Sequence, residues 1–204
     1  LMREHIPQET RIHYVITDGG KAPNVVPDQA EVYYYSRHPS REVVRSVFDR
    51  IVRAAEGAAT GTETKMTYEI VNGVHELLPN ETLQRLVHES LSEVGGYTYT
   101  QEELAFAEAI SETLGTQLNT LVAQQVEPYK SASRAYGSTD VGDVSFVVPT
   151  VGFRTATWVP GTSAHSWQAV AAGGTSIGLK GMTVAAKTLA LSAVKLFSNP
   201  ELIE

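Results

Sequence analysis

The sequence reads as an α/β protein in two parts, and three observations point there. A period-two pattern of apolar residues occurs twice near the start, then gives way to a 3.6 period, then returns. Beyond residue 76 the apolar periods become mainly helical, with caps and glycine stops at their ends. The 204-residue length suits one large domain or two small ones, and 42% hydrophobic with 19% charged residues is an ordinary globular composition.

In "RIHYVIT", Arg11 to Thr17, the residues Ile12, Tyr14 and Ile16 share one face, which predicts a half-buried strand. "DGGKAPN" follows as a turn-rich loop, and "AEVYYYSR" predicts a second strand built from aromatic β-formers. Val43, Val44, Val47, Phe48, Ile51, Val52 and Ala55 then mark one face of a helix, with Ser40 as cap and Gly57 as stop. "ETKMTYEIV" alternates again, with Met66, Tyr68 and Ile70 opposing Lys65, Thr67 and Glu69, and predicts a third strand. The order is β-β-α-β. One more strand in front would complete a split β-α-β sandwich with helices over one sheet face.

A boundary is expected between Gly73 and Pro79, giving domains 1–76 and 77–204. Asn80 caps a helix whose apolar face is Leu83, Leu86, Val87, Leu91 and Val94, closed by Gly95 and Gly96. Thr100 and Glu103 form a capping box for a second helix, with Leu104, Ala107, Ile110 and Leu114 inward and Gly115 at its end. Short strands are expected around "SFVVP" and "GFRTATWV", and a last helix from about Thr183 to Phe197.

Composition excludes several classes. A net charge of −7, with no basic run, argues against nucleic acid or an anionic membrane as partner. With no cysteine there is no disulfide framework, thiolate nucleophile or sulfur-rich metal site. "LMREHIPQET" is too polar for a signal peptide, and Met182 to Phe197 is broken by Lys187 and Lys195, so a cytoplasmic location is expected. The chain opens at Leu1, in what reads as the last turn of a helix before Pro7, and so reads as a piece of a longer polypeptide.

The unusual stretch is Gly137 to Gln168, where a histidine and two aspartates interrupt an apolar run. His165 either gives a ring nitrogen to a metal or is a loop histidine bonded to backbone. Asp140 and Asp143 either orient such a histidine or cap a short helix beginning near Val144. Asn24 either donates its amide to an oxyanion or makes a turn. Arg37 suits bidentate capture of a carboxylate, although strand-end arginines are common, and Arg134 is ambiguous in the same way. Glu108 and Glu112 lie four apart on a helix and read as solvated.

"NVVPDQAEVYYYSR", "RAYGSTD" and "TSAHSWQ" together resemble the dinuclear-metal amidohydrolases, the group of glutamate carboxypeptidases, aminoacylases and deacetylases. The resemblance covers essentially the whole chain, and "STDVGDVS" with "HSWQ" is its specific part. It implies a ferredoxin-like β-α-β-β-α-β lid or dimerisation domain over 1–76. Residues 77–204 would be the C-terminal portion of a phosphorylase/hydrolase-like α/β metallopeptidase domain.

The resemblance implies that His165 is a metal ligand in a dinuclear zinc or manganese centre. Asn24 would steady the oxyanion and Arg37 would pair with the substrate carboxylate. Arg134, Thr139 and Asp140 would line the site. The activity implied is hydrolysis of the amide joining an acyl group to glutamate, in a homodimer or a heterodimer with a sister subunit through the lid. A non-catalytic dimerisation or anion-binding module is the alternative. The family's His-x-Asp pair, its Glu-Glu pair with the general base, and its lid histidine have no counterpart here and would precede Leu1. The chain alone is therefore expected to be inactive, with apolar surface exposed near the last helix and association through the lid's sheet edges or that surface.

Overall fold

The computed structural model describes residues 2–131 and 137–202. The chain mixes helix and sheet and divides into two compact units, Leu1–Leu78 with Arg134–Val148, and Pro79–Ser133 with Pro149–Glu204.

In the first unit a 3-10 turn, Arg3–His5, precedes β1 (Arg11–Asp18). This strand pairs antiparallel with β2 (Glu31–Arg37), Tyr14 opposite Tyr34 and Arg11 opposite Arg37, with an irregularity between Ile16 and Asp18. Tyr14 and Tyr34 approach at 5.8 Å between ring centroids, and Tyr33 and Tyr35 at 5.2 Å. The Tyr14–Tyr34 pair crosses between the strands and helps hold the ribbon in register, while Tyr33 and Tyr35 are neighbours on one face of β2. Helix α1 (Arg41–Gly61) packs on β2 and buries Val47 and Ile51.

The expected stop at Gly57 is overrun by four residues. Helix α1 ends at Thr62, whose N–H reaches Ala58 O at 3.1 Å, while Glu63 takes the left-handed conformation (φ 53°) and Thr64 N donates to Ala59 O at 2.9 Å. A glycine ends a helix only where the chain has a reason to turn. Here the turn comes later.

The third strand is also corrected. Residues 64–80 carry no strand, and the sheet among the described residues has two strands only. Tyr68, Ile70 and Val71 are exposed, with Tyr68 touching Phe48 edge-on at 5.8 Å. A strand exists only through a neighbour's hydrogen bonds, and alternation alone cannot supply the neighbour. The "SFVVP" and "GFRTATWV" strands fail for the same reason. The first falls at the end of α5 (Val141–Ser145), and the second is irregular chain.

The second unit is helical. Helix α2 (Glu81–Val94) is capped by Asn80, whose side chain accepts from Leu83 N at 2.9 Å. Helix α3 (Gln101–Leu114) carries both halves of the Thr100–Glu103 capping box and stops at the left-handed Gly115. A short helix α4 (Leu121–Gln124) follows. Helix α6 (Trp167–Gly173), which sequence periodicity did not show, leads into α7 (Ser176–Ser198), which begins seven residues before the expected Thr183. Ala107, Ile110, Val159, Ala172 and Ile177 form the core of this unit, with Phe106, Leu114 and Tyr97 around them.

Helix α7 lies along α2 and touches α6. Its glycines permit close approach: a Cβ at Gly178 would sit 2.2 Å from Gly173 O of α6, and one at Gly181 2.1 Å from Ala156 O of the preceding chain. Leu179, Met182, Leu189, Val194 and Phe197 remain exposed on it. By length and composition α7 could cross a membrane, with a mean hydropathy of 1.3, but Ile177, Thr188 and Ser192 are buried within this unit.

Candidate functional site

Three of the residues singled out from the sequence gather in the first unit. Arg37 closes β2, and its Nη2 donates to Ser138 Oγ at 2.7 Å. Ser138 opens a loop that continues through Thr139 and Asp140 into α5. Thr139 Oγ1 accepts from Val141 N at 3.3 Å. Asp140 occupies the N-cap position of α5 without a side-chain cap, and both Thr139 and Asp140 are exposed. A guanidinium is thus held beside a loop of small polar residues, an arrangement suited to a carboxylate ligand.

Asn24 belongs to the same unit, in a tight turn closed by Val25 N donating to Ala22 O at 3.2 Å, and its side chain is exposed. The turn between the strands is shaped by Gly20, at φ 96° and against Pro27. Arg134 lies outside the described residues.

Asp143 does not wait for His165. Its carboxylate pairs with the ring Nδ1 of His75, and also accepts from His75 N at 3.2 Å. The hydrogen bond from His75 holds the Asp143 carboxyl below the usual carboxylate range, against a smaller opposing push from desolvation. His75 sits in "GVHELLPN", which periodicity marks as a linker. The one available signal was a lone histidine in an otherwise unstructured stretch.

His165 lies in the second unit, one residue ahead of the Ser166 cap of α6, in the left-handed region at φ 61°. That conformation is uncommon outside glycine, though histidine tolerates it better than bulkier residues, and such positions gather at functional sites. Ser166 makes it possible: its hydroxyl accepts from Ala169 N at 3.2 Å as cap of α6 and donates to Ser163 O at 2.7 Å. His165 is exposed at an open cavity of about 450 Å³ lined also by Trp158, Ser166, Trp167, Ala169 and Val170. The walls are aromatic and aliphatic. They contain no second metal-type ligand, and no group of three or more His, Asp or Glu able to hold an ion occurs among the described residues.

The remaining charged centre is structural. Glu103 is buried, and burial by itself would raise its pKa. Hydrogen bonds from Lys180, Ser176 and Thr100 N, together with the Lys180 charge, outweigh this and lower it to about 2. Lys180 Nζ lies 2.6 Å from the carboxylate. The Tyr97 hydroxyl, which donates to Ala156 O at 2.7 Å, is raised well above the ordinary phenol range by its burial.

Comparison with known proteins finds similarity along the whole chain to a hydrolase subunit and to dipeptidases. It is 38% identical to a p-aminobenzoyl-glutamate hydrolase subunit of Escherichia coli (strain K12), over 100% of this chain and 48% of that protein. It is 30% identical to the Xaa-Arg dipeptidase of Homo sapiens and 29% to that of Mus musculus, in each case over 100% of this chain and 41% of the relative. The chain spans less than half the length of these relatives. No family model matches it.

Proposed function

We propose that this chain supplies the anion-binding lid and one metal-binding histidine of a metal-dependent amidohydrolase. Its substrate would be p-aminobenzoyl-glutamate or a related N-acyl-glutamate, and glutamate the product. The observation that carries the reading is Arg37 docked on the Ser138 hydroxyl, inside a chain 38% identical throughout to a p-aminobenzoyl-glutamate hydrolase subunit. Arg37 would pair with a glutamate carboxylate, while the Thr139 hydroxyl would donate to one of the ligand's remaining oxygens. Asn24 would donate its amide to the oxyanion that forms at the scissile carbonyl.

A divalent zinc or manganese ion, or a pair of them, would supply Lewis acidity and an activated water in such chemistry. The described residues do not fit that group on their own. His165 has aromatic and aliphatic neighbours and no ligand partner among the described residues, so it would serve only alongside ligands outside this chain. By itself the chain would bind and not turn over. The lack of any three-ligand group of His, Asp or Glu among the described residues also favours a second reading: a non-catalytic anion-binding or dimerisation module of the same descent. In either case the partner is a second copy or a sister subunit met through the lid, in the cytoplasm.

Calorimetry of the purified chain with p-aminobenzoyl-glutamate tests the proposal. Binding is expected, and Arg37→Ala should weaken it by at least about tenfold, the value of one carboxylate hydrogen-bond pair. Equal affinity in that variant, or none in the parent, rejects the role of Arg37. Binding without added metal and no hydrolysis with zinc or manganese is the expected result for the isolated chain. Metal-dependent turnover by it would show that this unit needs no outside ligands.

A further inference from the structure

Residues 73–78 are clasped to α5 at both ends. At one end Asp143 takes the backbone N–H and the ring Nδ1 of His75. Arg41 Nη1 lies 3.2 Å from the same ring nitrogen, and the Phe146 ring lies 4.7 Å from the imidazole, tilted by 35°. At the other end Ser145 Oγ accepts from Leu78 N at 2.9 Å and donates to Gly142 O at 2.6 Å. Between them the His75 carbonyl rests directly on Gly142, where an added Cβ would come within 2.0 Å of it. Arg41 N donates to Glu76 Oε2 at 3.1 Å and ties the clasp to the start of α1.

This matters because α5 cannot hold itself. A five-residue helix without a side-chain cap is far below the length at which helices persist alone. Its position, and that of the Ser138–Asp140 loop ahead of it, depends on what it is tied to. Ionised Asp143 only accepts, so the His75 proton sits on Nδ1, and the Arg41 guanidinium beside it balances the carboxylate.

We propose that His75 is a positioning residue: through Asp143 it holds α5, and with it the Ser138–Asp140 loop, in register against Arg37. The direction in which Arg37 meets an anionic ligand is then set two contacts away, from a linker histidine that touches no ligand. The inference rests on the reading of Arg37 as the carboxylate-binding group.

The test combines amide hydrogen exchange and calorimetry on the whole chain for His75→Ala, His75→Asn and Asp143→Ala. The asparagine amide restores a donor at the place of Nδ1. His75→Ala and Asp143→Ala should lower protection of the 141–146 amides by roughly tenfold or more and leave α3 and α7 unchanged, as for a local opening. The Kd for p-aminobenzoyl-glutamate should rise by about tenfold in both. His75→Asn should recover most of each effect, which a general loss of packing would not. Unchanged protection in His75→Ala overturns the clasp. A loosened α5 with unchanged affinity overturns the positioning role while leaving Arg37 in place. A parent chain that binds nothing overturns the positioning role and the Arg37 reading together, the clasp being decided by exchange alone.

Discussion

The two units hold themselves together in different ways. The second buries a contiguous core in which Ala107, Ala172 and Ile177 are wholly excluded from water, and its helices satisfy their backbone groups internally and through caps. The first leaves its sheet open: Tyr14 is 67% exposed, Ile16 59%, and the described sheet has only two strands, each at an edge. A helix closes its own hydrogen bonds, while a sheet needs partners it does not contain. The sheet unit therefore draws its order from the α1 contact, the tyrosine pairs and the His75–Asp143 clasp.

The largest expected effect follows from that contrast. Ile177→Ala should destabilise the second unit by about 3 kcal/mol, since it removes a buried side chain and leaves a cavity. Ile16→Ala in β1 should change stability by no more than about 0.5 kcal/mol. Denaturant melts of both variants compare the units directly. Similar losses in the two would show that the sheet is covered in solution.

A smaller effect concerns pH. The Glu103 pKa falls from an ordinary 4.5 to about 2 in the folded chain, so its contribution to stability is complete above 4.5. It drains away as pH falls through that window to about 2, because protonation then favours the unfolded chain. Glu103→Gln should flatten this acid limb and lower stability at neutral pH by roughly 2 kcal/mol, through loss of the charged bond to Lys180. Stability curves against pH for the two proteins decide it. An acid limb that persists unchanged would place its origin elsewhere.

The smallest change in stability carries the largest change in assembly. Ile16→Lys leaves the fold intact but puts a charge on the open sheet, and should abolish the association expected through its edges and apolar face. Light scattering at high concentration reads this. A parent chain that stays monomeric would remove the open sheet as an assembly surface.

Helix ends were legible wherever their chemistry is local. The Asn80 cap, the Thr100–Glu103 box and the Gly115 stop are each written within four residues. Strands β1 and β2 were legible because β-branched and aromatic residues flank a turn-rich loop, residues 19–30. "ETKMTYEIV" shows the same alternation, yet it remains unpaired, because pairing is decided by what lies alongside. Helix α6 was hidden by its brevity and by a cap, Ser166, that looked like part of a loop. Among the candidate site residues, Arg37 was legible as a guanidinium at a strand end. The hydroxyl it meets, a hundred residues on, was not.

What this amino-acid order determined alone is therefore the presence of the longer helices, the caps of α2 and α3, one ribbon, and the kinds of side chain available for an anion. Those depend on neighbours a few positions away. Tertiary structure decided which histidine Asp143 meets and that Ser138 rests on Arg37, since each joins groups distant in sequence. Such encounters are selected by the packing of whole elements, and no local pattern encodes them.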